Sequence, residues 1–308
     1  MEEAHSMQGD AVREVFWKTW IKTSRPMTLT ATASPVLVGT AVAVYQGTFH
    51  LAIFLLTFLS CMGLQIGTNY FNEYFDYRYG LDHAGSLGAM TVIFRNEMTA
   101  KQVLGGGILS FVIAAVLGIV LIVLVGPVII LFGLAGMLVA YSYSAKPFKF
   151  ASRGLGDIMV FIAMGFLMTW GSYYVQIQQW SWQAFAACIP VGCLVVSILN
   201  MNNVRDYEDD FAVNKKTIPV RFGLRFGQLY HAVLLTASYV TTTLFVLFGL
   251  LPLAALAVWL TCPLAFRNVA LVTRAQNRKA FIAGIKLTSL LHLAFGLVLA
   301  IAIVLARK

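Results

Sequence analysis

Two polar stretches of this chain carry oxygen-rich side chains at a repeated spacing. In each stretch an Asn is followed four residues later by an Asp, and another Asp follows soon after. These residues are Asn72, Asp76 and Asp82, which we name the first acidic motif, and Asn202, Asp206 and Asp210, which we name the second acidic motif. Side chains three or four residues apart share one face of a helix. Asn69 therefore joins the stripe of the first motif, and the second motif forms a similar stripe if its helix continues to Asp210.

The chemistry that these motifs could support is cation binding. Each motif follows a long apolar run and so falls at the carboxyl end of a predicted helix, where the helix dipole disfavours further negative charge. Carboxylate and amide oxygens suit Mg²⁺, which takes one or two carboxylates and completes its shell with water and phosphate. We therefore predict Mg²⁺ as cofactor, Asn72, Asp76, Asp82, Asp206 and Asp210 as metal ligands, and Asp76, Asp206 and Asp210 as catalytic residues.

Basic residues beside the acids indicate an anionic ligand that shares the metal. A diphosphate fits, because metal ions bridge its oxygens while Lys or Arg neutralise the remaining charge. The candidates for diphosphate binding are Arg78, Lys146, Arg205 and Lys215. Two alternatives stay open: the acidic stretches could be solvated loops, and each base could be a membrane anchor, since cytoplasmic loops collect Lys and Arg.

The elements that must position these residues are membrane-spanning helices. The chain has 308 residues, of which 59% are hydrophobic and 11% are charged, whereas a soluble domain carries about 25% charged residues. Apolar runs of about 20 residues, enough to cross ~30 Å of hydrocarbon, recur along the chain. The composition predicts an all-α integral membrane protein surrounded by the lipid bilayer, with neither nucleic acid nor an obligate protein partner.

Nine transmembrane helices are predicted. Their spans are 28–46, 51–72, 103–124, 127–144, 155–175, 183–201, 228–248, 251–268 and 281–305. They make a single transmembrane domain over residues 28–308. Residues 1–27 form an amphipathic lead whose Trp and basic residues suit the membrane interface, and because this lead has no apolar core we expect no cleavable signal peptide.

Charge predicts how the bundle is oriented. The connections after the odd-numbered spans contain no charged residue, whereas all 13 acids and nearly all of the 22 Lys and Arg fall on the side of the lead and the other connections. Only Arg307 and Lys308 fall on the opposite side. Since cytoplasmic loops are enriched in Lys and Arg, we predict a plasma-membrane protein with a cytoplasmic N-terminus, a cytoplasmic active side and an external C-terminus.

The two acidic motifs also suggest an internal duplication. Their first Asn residues, Asn72 and Asn202, are 130 residues apart, and each motif follows the second span of its half. We predict two parallel four-helix repeats, over about 28–150 and 151–270, followed by a ninth helix over 281–305.

With these motifs the chain resembles the UbiA superfamily of intramembrane prenyltransferases over nearly its whole length. The acid at Asp82, ten residues after Asn72, resembles the 1,4-dihydroxy-2-naphthoate prenyltransferase branch of menaquinone synthesis. So do the stretches NEYFDYRYGLDHAG, RGLGD (153–157), GSYYVQ (171–176) and NNVRD (202–206). The chain departs from the usual pattern at Asn214, where Gly is common, and at Glu73, where Asp is commoner. Neither position is a predicted ligand.

The resemblance implies a transferase that moves a polyprenyl group from its diphosphate to 1,4-dihydroxy-2-naphthoate, with loss of CO₂ and diphosphate. Mg²⁺ would stabilise the leaving diphosphate, and an allylic cation would be attacked by the ring. Aromatic side chains could stabilise that cation, and we predict Asn69, Tyr143 and Asn202 as substrate-binding residues. The alternative within the family is another aromatic acceptor: 4-hydroxybenzoate, homogentisate or a tetrapyrrole. The alternative of another class is an ion-coupled transporter, but no acid lies in the middle of a span, where transporters place their sites.

Overall fold

Apolar helices form nearly all of the protein. The computed structural model describes residues 17–80 and 92–307, and within these ranges it contains no β-strand. The nine long helices in these ranges are α1 (Thr30–Tyr45), α2 (Leu51–Arg78), α3 (Ala100–Val125), α4 (Val128–Ser144), α5 (Gly156–Ile177), α6 (Trp182–Arg205), α7 (Leu224–Leu247), α8 (Leu253–Arg274) and α9 (Arg278–Leu305). Residues 161–168 of α5 are a π-helix, and residues 253–261 of α8 are a 3₁₀-helix.

Each of the nine predicted spans coincides with one of these helices. In the described ranges, seven helices are long and apolar enough to cross a membrane, and the shorter apolar helices α1 and α4 have 16 and 17 residues. The protein is therefore a multi-pass membrane protein with an all-helical fold. Its division into two four-helix repeats stays a prediction.

The outer surface of the bundle is apolar. Val123, Leu260 and Leu305 are each more than three-quarters exposed, and many other large aliphatic side chains on α2, α3, α4 and α8 also face outward. A water-soluble protein does not present so large an apolar surface. In a bilayer, lipid hydrocarbon covers this surface and no apolar side chain is exposed to water, so the surface fits a membrane environment.

The densest core lies between α1, α6, α7, α8 and α9. Leu194, Leu235 and Phe295 are completely buried there, together with Tyr173 from α5. Helices α1 and α9 approach closely because a small residue lies at their crossing: a Cβ on Gly296 would lie 2.5 Å from that of Ser34. Small residues at helix crossings allow this approach in membrane proteins.

The N-terminal segment is held against α2 by hydrogen bonds. Residues 17–23 are helical, and Tyr70 donates its hydroxyl to the carbonyl of Trp20 (2.9 Å). Asn69 Nδ2 donates to the Ser24 carbonyl (2.8 Å) and to Thr28 Oγ1 (3.2 Å). The segment that precedes α1 is thereby fixed beside the end of α2 that carries the first acidic motif.

Candidate functional site

A cavity of about 500 Å³ occupies the half of the bundle formed by α1 to α6. Its wall changes character along its length. One end, which we name the polar end, is lined by both acidic motifs and by basic residues. The remainder, which we name the apolar tube, is lined by aliphatic, Met and small residues of α2 to α5.

The first acidic motif reaches the polar end from α2. Because α2 continues to Arg78, six residues beyond the predicted end of its span, Asn72 and Asp76 lie on one helical face, and both line the cavity. Asn72 Oδ1 accepts a hydrogen bond from Ser144 Oγ (2.6 Å). Asp82 lies outside the described residues, so its assignment as a ligand stays a prediction.

The second acidic motif is not one straight stripe. Helix α6 ends at Arg205, Asp206 caps it, and a separate short helix, Tyr207–Ala212, carries Asp210. The backbone amide of Asp210 nevertheless donates to the Asp206 carbonyl (2.8 Å), so the two carboxylates remain one turn apart. Both line the polar end. The negative charge of Asp206 acts on Asp76, and the negative charge of Asp76 acts on Asp210.

Two of the bases predicted to bind diphosphate, Arg205 and Lys215, pair with the second acidic motif. Arg205 donates two hydrogen bonds to Asp206, each 2.7 Å long, and Lys215 Nζ lies 3.2 Å from Asp210 Oδ1. Burial alone would lower the pKa of the Lys215 ammonium, but the attraction of Asp210, Asp76 and Asp206 raises it above its usual value. Lys215 is therefore a permanent cation at the polar end.

The charge at the polar end fits a bound cation. Burial raises the pKa of the Asp210 carboxyl to about 6, and repulsion from Asp206 and Asp76 acts in the same direction, against the attraction of Lys215. Asp210 Oδ2 is buried and has no hydrogen-bond partner among the described residues. The described part of the cavity wall carries five acidic side chains (Asp76, Asp157, Asp206, Asp209 and Asp210) against three basic ones (Arg25, Arg205 and Lys215).

No group of three or more His, Cys, Asp or Glu residues within the described ranges is close enough to hold one metal ion. Mg²⁺ does not require such a cage, because it commonly binds one or two carboxylates and shares substrate phosphate oxygens. The oxygen donors at the polar end suit this mode: Asn72 and Asp76 from α2, and Asp206 and Asp210 from the second acidic motif.

Arg25 is a cavity residue that the sequence did not single out. It precedes α1 in a left-handed backbone conformation (φ 54°), lines the polar end and contributes positive charge near Asp76. Its Nη2 lies 4.0 Å from Oε2 of the buried Glu73, which also accepts a hydrogen bond from the Val92 amide (2.9 Å). Glu73 thus contacts both Arg25 and the segment that begins at Val92.

The connection from α4 to α5 adds a basic rim. Lys149 Nζ lies 3.8 Å from the centre of the Tyr79 ring, a cation–π contact, and Lys146 Nζ lies 5.2 Å from it. Burial and the neighbouring charge of Lys146 lower the pKa of Lys149. Lys149, a base that the sequence did not single out, contributes positive charge that acts on Asp76.

The other predicted residues fall in two places. Asn69, Asn202 and Tyr143 line the cavity, as their assignment to substrate binding requires, although the Asn69 amide group is already used in hydrogen bonds to the N-terminal segment. Arg78 and Lys146 are exposed and do not belong to the described cavity wall. Their part in diphosphate binding stays a prediction.

The apolar tube extends through most of the bundle. Along α5 its wall runs from Val160 through Ala163, Leu167 and Gly171 to Val175. At 1.5 Å per helical residue, the stretch from Val160 to Val175 covers roughly 22 Å, most of the ~30 Å of a hydrocarbon core. Leu121, Ile129 and Val175 pack together at the far end.

This arrangement of helices is shared with solved structures. A UbiA homolog from Aeropyrum pernix K1 in its apo form matches with a TM-score of 0.68 at 14% identity, covering 89% of this chain and 97% of that one. A UbiA homolog from Archaeoglobus fulgidus bound to GPP and Mg²⁺ matches with a TM-score of 0.60 at 17% identity, covering 91% of this chain and 99% of that one. At these identities the likeness concerns the fold alone.

Curated relatives are more similar in sequence. The 1,4-dihydroxy-2-naphthoate octaprenyltransferase of Bacillus subtilis is 30% identical over 299 residues, which are 97% of this chain and 95% of the relative. The enzyme of the same name from Escherichia coli is 29% identical over 266 residues, 84% of this chain and 86% of the relative. The model of the UbiA prenyltransferase family matches residues 32–290, which include both acidic motifs and the cavity-lining helices α2 to α6, and the chain belongs to that family.

Proposed function

We propose that this protein transfers a polyprenyl group from polyprenyl diphosphate to 1,4-dihydroxy-2-naphthoate, releasing diphosphate and CO₂ and giving demethylmenaquinol. The observation that carries the proposal is a single cavity that joins a charged, oxygen-rich end to a long apolar tube. An isoprenoid diphosphate has this same division into a charged head and an apolar tail. The names of the relatives from B. subtilis and E. coli support the naphthoate as acceptor.

Different parts of the cavity wall would bind the diphosphate of the donor and protect its allylic carbon for attack by the acceptor. Lys215 and Arg25, which line the polar end, would attract the diphosphate, and Asp76, Asp206 and Asp210 would hold Mg²⁺ there. Bound Mg²⁺ would neutralise the charge that develops on the diphosphate as it leaves. The apolar tube shields the allylic carbon from water, so the ring of the acceptor can attack it before water does.

The acceptor assay tests this proposal directly. Purified protein in detergent is given Mg²⁺, a series of prenyl diphosphates and one of several aromatic acids, and the products are identified by mass. We expect a prenylated naphthoquinol that has lost the mass of CO₂. Prenylation of 4-hydroxybenzoate or homogentisate with no reaction of the naphthoate would show that the naphthoate is not the acceptor. The protein would still be a prenyltransferase.

We further propose that the polar end faces the cytoplasm and that all nine long helices cross the membrane. Single cysteines placed in a variant without the four natural ones test this orientation. Gln178 and Gly249, both exposed, should react with an impermeant thiol reagent from outside the cell, and the exposed Arg225 and Phe148 only after permeabilisation. The reverse pattern would overturn the orientation, and labelling of all four positions from one side would overturn the nine crossings.

A further inference from the structure

A buried carboxylate of α5 has no part in the metal site described above. Asp157 is the second residue of α5 and the single acidic residue in that helix. It is 9% exposed and lines the cavity. Its Oδ2 has no hydrogen-bond partner among the described residues. Burying a carboxylate oxygen without a partner is costly, so a carboxylate at this place calls for an explanation.

Favourable helix electrostatics do not suffice as that explanation. A carboxylate in the first turn of a helix is stabilised by the helix dipole, but an exposed position in the same turn would give this benefit without loss of hydration. Two tyrosines lie near Asp157. The hydroxyl of Tyr230 from α7 interacts with the carboxylate, and Tyr143 from α4 is a further titratable group near it. Tyr230 positions the carboxylate, and neither tyrosine carries a positive charge that would neutralise it.

The position of Asp157 along the cavity also points to a role in the reaction. The metal-binding carboxylates and Lys215 mark the place of the diphosphate, and the α5 residues from Val160 onward mark the place of the tail. The bond that breaks in the donor joins these two parts, so the reacting carbon must lie at the junction of the polar end and the apolar tube. Asp157 lies at this junction, one turn before Val160 on α5.

We propose that Asp157 is the general base for the acceptor, a role that rests on the proposed function. Asp157 takes the proton of the acceptor hydroxyl next to the carboxylate-bearing carbon as the electron pair of that O–H bond moves into the ring. The carboxylate-bearing ring carbon forms a bond to the allylic carbon. The C–O bond of the allylic carbon breaks, and diphosphate leaves with the electron pair of that bond. The C–COO⁻ bond then breaks, CO₂ leaves, and its electron pair restores the aromatic ring. The oxygen recovers its proton from Asp157, so no net proton is consumed.

Asp157→Asn is the decisive variant, because it keeps the shape of the side chain and removes its basicity. Ionisation of the donor does not need Asp157, so the variant should still convert prenyl diphosphate to prenyl alcohol and diphosphate by capture of the cation by water. We expect kcat for naphthoate prenylation to fall about 10²- to 10³-fold, as for loss of a general base. The KM for prenyl diphosphate should stay unchanged, and the ratio of prenyl alcohol to prenylated product should rise.

Two further variants make the result specific. Asp157→Glu keeps a base and should recover part of the transfer rate, whereas Glu208→Gln removes an exposed carboxylate outside the cavity wall and should behave as wild type. Normal transfer by Asp157→Asn would overturn the proposal, since the acceptor's own carboxylate would then suffice as base. Loss of transfer and alcohol formation together would also overturn it, because Asp157 would then support the fold or the donor site.

The wild-type protein separates this inference from the proposed function. If wild type does not prenylate dihydroxynaphthoate, the proposed acceptor is wrong, and the variants are compared with the acceptor that wild type does use. If wild type prenylates dihydroxynaphthoate and Asp157→Asn does so equally well with an unchanged product ratio, the proposed function stands and the role of Asp157 falls.

Discussion

Asp76→Ala and Asp206→Ala are each expected to reduce turnover by at least about 10²- to 10³-fold, the range for loss of one group that stabilises transition-state charge. The two residues come from different helices and reach the same polar end. If both carboxylates hold cations on one diphosphate, removing either leaves the departing charge incompletely neutralised. The loss should appear in kcat measured at saturating prenyl diphosphate and naphthoate.

The folded state should survive both substitutions. The carboxylates of the polar end repel one another, so removing Asp76 relieves repulsion and opens no large apolar cavity. Thermal unfolding of Asp76→Ala in detergent should therefore occur at an equal or higher temperature than in wild type. Asp206→Ala also removes the partner of the Arg205 guanidinium, so it should unfold at a lower temperature than Asp76→Ala while still folding. Glu208→Ala is the matched control, since Glu208 is an exposed acid of the same stretch and should retain activity. A full rate in either aspartate variant would refute a site shared between the two motifs.

Removal of divalent cations is expected to abolish turnover, and added Mg²⁺ should restore it. The described cavity wall carries five acidic against three basic side chains, and Arg205 is already paired with Asp206 by two hydrogen bonds. A diphosphate brings several more negative charges to this place. At 4 Å, two unit charges of equal sign repel by ~4 kcal/mol at the effective dielectric near a protein surface. The excess of acidic side chains in the wall therefore favours a donor that binds together with divalent cations.

The measurement is product formation by protein dialysed against chelator, followed by titration with Mg²⁺. The same titration with prenyl diphosphate alone, read as heat of binding, separates donor binding from chemistry. We expect no measurable donor binding without the metal. Undiminished prenyl transfer in excess chelator would contradict the assignment of the acidic motifs to metal binding.

The positions of the helices could be predicted because lipid imposes a simple rule on sequence. A span needs about 20 apolar residues, and turns at Gly126-Pro127 and Gly249 separate such runs clearly. The rule fails where a helix leaves the apolar region. Helix α2 runs six residues past its predicted end, because Asn72 and Asp76 are polar and yet remain helical. Hydropathy indicates which residues lie in hydrocarbon but not how far a helix continues beyond it. The helix end that carries the acidic motif is therefore the hardest part to predict from the sequence.

The residues that the sequence missed are those placed by tertiary contacts. Arg25 reaches the cavity only because α2 holds the segment before α1, and nothing in its neighbourhood in the sequence signals that contact. The charge of Lys149 acts on Asp76 because the connection from α4 to α5 turns back over Tyr79, a contact that the sequence does not indicate. In contrast, Lys215 follows Asp210 closely in the chain, so the sequence alone brings it near the second acidic motif, and the structure places it beside Asp210.

The division of the cavity into a charged end and an apolar tube has a consequence for what happens after the reaction. The charged groups that the polar end recognises leave with diphosphate and CO₂, so the quinol keeps only the contacts of its hydroxyl groups and of its apolar tail. Hydrocarbon outside the bundle solvates the tail as well as the tube does, so burial of the tail does not favour bound quinol over quinol in the bilayer. Diphosphate, which keeps all of its contacts at the polar end, is then the by-product that competes with the next donor molecule.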